Sequence, residues 1–216
     1  MMKRTALTVL AALFCTAGFA ADVSQPSRAT LTTALENFLS EHGDVCVAKY
    51  DWPIDVSLRD VDNRTRDAVQ MPALEQQGLV KSSDGYVVYK TDGREEKVPT
   101  RRYELTDLGR RYYKVRETLS HPHPGKTLVH HADLCAGHLS LDAIVQMNAP
   151  TRVGNSAPTA SVSYRYRFTP DAWVQNEQIW RVFPMLETLM QGQGKMEMTQ
   201  KFHFDGRAWV PDTEID

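Results

Sequence analysis

The sequence predicts an α+β fold, with a helix-rich N-terminal half followed by an antiparallel β-sheet that packs a helix. Three observations predict it. Apolar residues recur every three to four positions from Leu31 and again after Thr106, the period of an amphipathic helix. Val162, Tyr164, Tyr166 and Phe168 alternate with Ser161, Ser163, Arg165 and Arg167, the period of a half-buried strand. Residues 78–106 set two β-rich arms around the turn-forming Thr91-Asp92-Gly93.

Taken in order, the first twenty residues read as an address. Lys3 and Arg4 precede an apolar run from Thr5 to Phe14, and Gly18 and Ala20 place small residues at −3 and −1 of a cut before Ala21. This is the layout of a secretory signal peptide, and the run is too short to span a bilayer. Phe14 ahead of Cys15 argues against lipidation, which needs a small residue there. Cleavage removes two basic residues and no acidic one, taking the formal charge from −2 to −4. A periplasmic or secreted protein without stable membrane insertion is expected. Cys46 and Cys135 then remain as an even pair in an oxidising compartment, and a disulfide between them is expected.

Residues 21–30 are polar and expected to fray. A helix follows from about Leu31, carrying Leu31, Ala34, Leu35, Phe38 and Leu39 on one face, with Gly43 to close it. After Cys46, residues 50–62 hold Pro53 and scattered Asp, and read as loop or short irregular structure. A second helix is expected within about 63–77, with Pro72 in its first turn, kinking it or dividing it. After the hairpin of 78–106, Thr106 is placed to cap a helix whose Leu108, Tyr112, Val115 and Leu119 form one apolar stripe. Residues 120–126, with two prolines and a glycine, read as a linker dividing a region 21–119 from a region 127–216. Helix, interrupted at Pro184, is expected over 171–190. A strand through Met196, Met198, Phe202 and Phe204 then turns at Asp205-Gly206 into Ala208-Trp209-Val210.

The whole composition fits a folded domain. Of 216 residues, 42% are hydrophobic and 24% charged, which excludes a disordered tail, a collagen-like fibre and a multi-span membrane protein. The length suits one large domain or two small ones.

The segment Met71–Tyr113 resembles the winged-helix module of the MarR and PadR regulator families. The matching residues are Leu74-Glu75-Gln76-Gln77-Gly78-Leu79-Val80 and Tyr103-Glu104-Leu105-Thr106-Asp107-Leu108-Gly109-Arg110. In those families the first stretch ends the recognition helix and enters the wing, and the second leaves the wing and starts the next helix. The resemblance implies a winged-helix-like N-terminal half and, as an alternative function, DNA binding by the helix of 63–77 in the major groove. Export, an acidic mature chain and a helix with two arginines and Pro72 point away from DNA, and no nucleic acid is expected as partner. The C-terminal half is similar to exported bacterial proteins of unassigned function that pair a segment like Cys135–Asp142 with a strand like Val162–Phe168, and so is the chain as a whole.

Two constellations are candidates for function. Between Arg94 and Arg116 there are eight basic and four acidic residues with Tyr103 and Tyr113 interleaved. Within this stretch Arg101, Arg102, Arg110, Arg111 and Lys114 are the expected binding residues, with Arg110, Arg111 and Lys114 sharing the outward face of the helix after Thr106. Such a surface attracts an anionic envelope component or a protein partner. The second constellation is histidine. His121, His123, His130, His131 and His138 fall within 18 residues, with Asp133 and Cys135 among them. Imidazole and carboxylate suit zinc or copper, but strand alternation puts His131 and Asp133 on one face and His130 on the other. No GxSxG, HExxH or GxxxxGK[ST] motif is present. The favoured function is therefore a non-catalytic exported accessory protein, with no cofactor and no metal site. The alternative is a weak metal-binding or hydrolytic protein that uses the histidine cluster of 121–138.

Overall fold

The computed structural model describes residues 25–91 and 93–212, so the expected signal peptide of residues 1–20 lies outside the described residues. Ser27 caps the first helix, α1 (Arg28–His42), by accepting from the Thr30 amide, which starts it earlier than the polar composition of 21–30 suggested. Its Leu31, Leu35, Phe38 and Leu39 are buried as the spacing predicts. Gly43 ends α1 with φ −73°, so left-handed backbone is not its purpose. A Cβ there would stand 2.4 Å from both the Leu39 and Leu139 carbonyl oxygens, and glycine is what lets the helix end meet the sheet.

The chain then forms β1 (Asp44–Cys46), a loop, β2 (Ile54–Ser57), α2 (Leu58–Asp62) and α3 (Arg66–Gln76). The sequence predicts loop or short irregular structure over residues 50–62. A capping box between Ser57 and Asp60 builds the short α2 instead. Pro72 lies inside α3, which forgoes one helical hydrogen bond there without ending. Gly78 follows with φ +73°, the left-handed stop, and leads into β3 (Val80–Thr91), which pairs in register with β4 (Arg94–Leu105). With β2 they form a three-stranded sheet in the order β2-β4-β3.

Thr106 caps α4 (Asp107–Tyr112) through the Gly109 amide. Here the expected long helix fails. Tyr113 is extended at φ −89°, ψ 98°, and residues 113–123 form strand β5. Val115 is 92% exposed and Leu119 58% exposed, so the expected stripe of Leu108, Tyr112, Val115 and Leu119 breaks up: Tyr112 packs against the core, while Val115 and Leu119 do not face it. Pairing with β6 (Lys126–Thr151), from Tyr113↔Leu134 onward, outweighs the local helical spacing. The β-branched Val115 and Thr118 suit that extended backbone. Residues 120–126, expected as a linker, are the tip of this β5–β6 hairpin.

The 26-residue β6 organises the second sheet, pairing with β5, with β1 and with β7 (Thr159–Pro170). β8 (Glu197–Phe204) and β9 (Trp209–Pro211) complete six strands. Val162, Tyr164, Tyr166 and Phe168 of β7 are buried, as their alternation predicts. A 3₁₀ turn (Ala172–Gln175), α5 (Glu177–Val182) and α6 (Pro184–Gly192), with Pro184 at its first turn, pack on the sheet. One buried cluster joins α1, α3, both sheets and α5–α6. Helices and antiparallel sheets in one core make the fold α+β. Among the described residues no helix is long and apolar enough to cross a membrane.

Candidate functional site

The sulfur atoms of Cys46 and Cys135 lie 2.06 Å apart and tie β1 to β6 at directly opposed positions. That tie is compatible with an oxidising compartment. It also fixes the start of the loop 47–53. The Val47 amide donates to the Leu134 carbonyl. The carboxylate of Asp133, buried between the strands, accepts from the Ala48 amide at 3.2 Å and the Lys49 amide at 2.7 Å. Burial raises the Asp133 carboxyl above its usual range despite these amides. The Lys49 side chain is itself buried, pairs with Asp67 at 2.9 Å and is lowered by burial. Tyr113 donates its hydroxyl to the Tyr50 carbonyl. The loop is thus held at four consecutive residues, 47–50.

What it holds is a chain of three side chains. On β6, His130 is 8% exposed and stacks on Tyr50 with ring centres 3.8 Å apart and planes 13° from parallel. Its Nδ1 lies 3.2 Å from Asp51 Oδ2, and its Nε2 lies 2.8 Å from Ser120 Oγ. A carboxylate only accepts, so Nδ1 carries a proton toward Asp51, and the Nε2 of the neutral ring accepts from the Ser120 hydroxyl. Ser120 comes from β5, where Thr118 pairs with His130 and Ser120 with Leu128. Sequence reading grouped His130 with the other histidines and missed Ser120 and Asp51. The hairpin register brings Ser120 beside His130, and a loop 79 residues away supplies Asp51. Neither relation has a spacing signal.

The remaining histidines do not converge. His121 pairs with Thr127 and His138 with Asp44, while His131 is exposed and Asp133 buried. Among the described residues no group of three or more His, Cys, Asp or Glu is arranged to hold a metal ion.

The five expected binding cations stand on three elements. Arg101 and Arg102 lie on β4. Arg101 faces Asp84 at 3.6 Å, and Arg102 forks onto Asp55 at 3.0 and 2.7 Å. Arg102 holds the Asp55 carboxyl below its usual range. On α4, Arg110 pairs with Asp107 and donates to the Leu105 carbonyl at 2.7 Å. Arg111, also on α4, is exposed, with no ion pair among the described residues. Lys114 is on β5, 2.7 Å from Asp44, so it shares no helix face with Arg110 and Arg111. Burial would raise the Asp44 carboxyl, but Lys114 and His138 together hold it low.

Exposed apolar side chains gather elsewhere. β2 pairs with β4 only from Thr100 to Tyr103, so the outer part of the β3–β4 hairpin is a two-stranded ribbon. Tyr86, Val88 and Tyr89 on it are each about half exposed, and Lys97 sits 3.5 Å above the Tyr86 ring. Comparison with family models, with curated proteins and with solved structures finds no match for the chain.

Proposed function

We propose that the protein is an exported binding protein that receives an extended segment of a partner protein on the open edge of β3. The observation that carries this reading is the ribbon itself. β3 is an edge strand of twelve residues, and its outer half exposes Tyr86, Val88 and Tyr89 where, among the described residues, no third strand covers them. An unpaired strand edge offers backbone donors and acceptors, and aromatic side chains beside it supply apolar contact. An isolated ribbon with exposed apolar residues is marginal in water, and an added strand would cover it. The signal-like residues 1–20 and the Cys46–Cys135 tie support export. The winged-helix resemblance fits this use of the hairpin: Gly78-Leu79-Val80 enters it from α3, and Tyr103-Glu104-Leu105 leaves it for α4.

Binding through a purely anionic contact has less support, because Arg101, Arg102, Arg110 and Lys114 are already matched by aspartates. A photo-crosslinking residue at Tyr89, compared with one at the exposed Val153, separates the two. Strand addition predicts an adduct from Tyr89 in envelope material that persists at high salt and in the Arg110→Glu/Arg111→Glu pair. An adduct lost under either condition would return the reading to an anionic envelope component. Equal labelling from both positions would overturn it.

A further inference from the structure

We infer that Ser120, His130 and Asp51 form a nucleophilic site for carboxylic esters, an activity separate from the proposed binding edge. The geometry meets the requirements of an activated serine in sequence. The nucleophile and base are 2.8 Å apart, and the base is oriented at its second nitrogen by a carboxylate at 3.2 Å. The base is also fixed in plane. Tyr50 stacks on His130, and the loop bearing Tyr50 and Asp51 is anchored by Asp133, by the Leu134 carbonyl and by Tyr113. Ser120 is itself partly exposed, so an ester reaches it from solvent.

Two neighbours fit an acyl group at that hydroxyl. Leu128 faces Ser120 across the hairpin and is 38% exposed, which gives a short aliphatic acyl chain an apolar surface. Thr118 is two residues before Ser120 on β5 and opposite His130, and its buried hydroxyl has no hydrogen-bond partner among the described residues. It is the spare donor for an oxyanion formed beside Ser120.

In the first step Ser120 Oγ bonds to the ester carbonyl carbon while its proton passes to His130 Nε2. The tetrahedral adduct then breaks its bond to the alkoxy oxygen, which takes that proton and leaves as the alcohol. Water attacks the acyl-serine carbon, giving a proton to His130. The Ser120 oxygen leaves with that proton, and the carboxylic acid is released. Asp51 is a positioning residue that acts through His130.

The test uses the mature chain with two probes. A fluorophosphonate, which bonds to an activated serine with loss of fluoride, is expected to leave one adduct on the peptide containing Ser120 by mass spectrometry. p-Nitrophenyl butyrate is expected to be hydrolysed, with Ser120→Ala abolishing both reactions. His130→Gln should slow acylation by about 100-fold or more, the usual scale for a lost general base. The Asp51 side chain is 85% exposed, so its variants are expected to fold. Asp51→Asn should slow acylation while Asp51→Glu restores it, a difference that a structural role would not produce. No adduct on the wild-type chain, an adduct on another serine, or a Ser120→Ala chain that reacts at the wild-type rate would overturn the proposal.

Discussion

Tyr164 shows what a single buried polar atom does to stability. Its side chain is fully buried on β7, its hydroxyl has no hydrogen-bond partner among the described residues, and burial pushes its phenol up to about 12. An unfolded tyrosine ionises near pH 10. Below that pH the contribution is complete. Above it the unfolded chain releases a proton that the folded chain retains, so stability falls as pH rises toward 12. The total is about 2–3 kcal/mol, because each unit of difference is worth about 1.4 kcal/mol. Tyr164→Phe should remove that share of the alkaline loss and leave neutral stability unchanged or slightly higher, since the deleted hydroxyl bonds to nothing. Urea denaturation at pH 7 and pH 11 checks both. Gly109 illustrates the opposite constraint. A Cβ there would come within 2.0 Å of the Leu79 carbonyl oxygen, because α4 lies directly against the start of β3. Gly109→Ala is expected to cost about 1–3 kcal/mol by overpacking, read from the same denaturation curves.

At the scale of elements, the α4–β5 junction separates two competing periodicities. Leu108, Tyr112, Val115 and Leu119 fit a helix, and Thr106 caps one correctly. The helix nevertheless ends at Tyr112, because β6 offers residues 113–123 a partner strand that an isolated segment lacks. The outcome is measurable. Leu119→Ala should change stability by under about 1 kcal/mol, as for an exposed side chain. Leu134→Ala, at a fully buried position paired with Tyr113, should cost about 2–5 kcal/mol. Comparable losses at the two sites would mean that Leu119 is packed after all. The same pairing creates the candidate site, since Ser120 meets His130 only when 113–123 is a strand in this register. A one-residue slip would turn Ser120 to the opposite face of the ribbon.

Across the whole molecule, the Cys46–Cys135 tie closes a separation of 89 residues that includes α2, α3 and the β3–β4 hairpin. In the chain-entropy model a loop of that size contributes about 4.6 kcal/mol. Cys46→Ser/Cys135→Ser should therefore lower the urea midpoint markedly. It should also loosen the loop 47–53 that carries Asp51, reducing fluorophosphonate labelling of Ser120 before global unfolding. Labelling that persists unchanged until the chain unfolds would show that the loop is held by Asp133 and Tyr113 without the tie.

The sequence by itself determined the features that rest on nearest neighbours and simple periods. These are the buried face of α1, the alternation of β7, the Thr106 cap and the Asp205-Gly206 turn, where Asp205 accepts from the Arg207 and Ala208 amides. Even the opposed cysteines followed from their number and the reading of export. Tertiary structure decided the rest. It turned a predicted helix into β5 and a predicted linker into a hairpin tip. It matched Arg101, Arg102, Arg110 and Lys114 with aspartates, and set Ser120 and Asp51 on either side of His130. Periodicity reports which face of an element meets the core. Which charge neutralises which, and which hydroxyl reaches which imidazole, depends on strand register and on loops closed across dozens of residues, and neither leaves a local pattern in the chain.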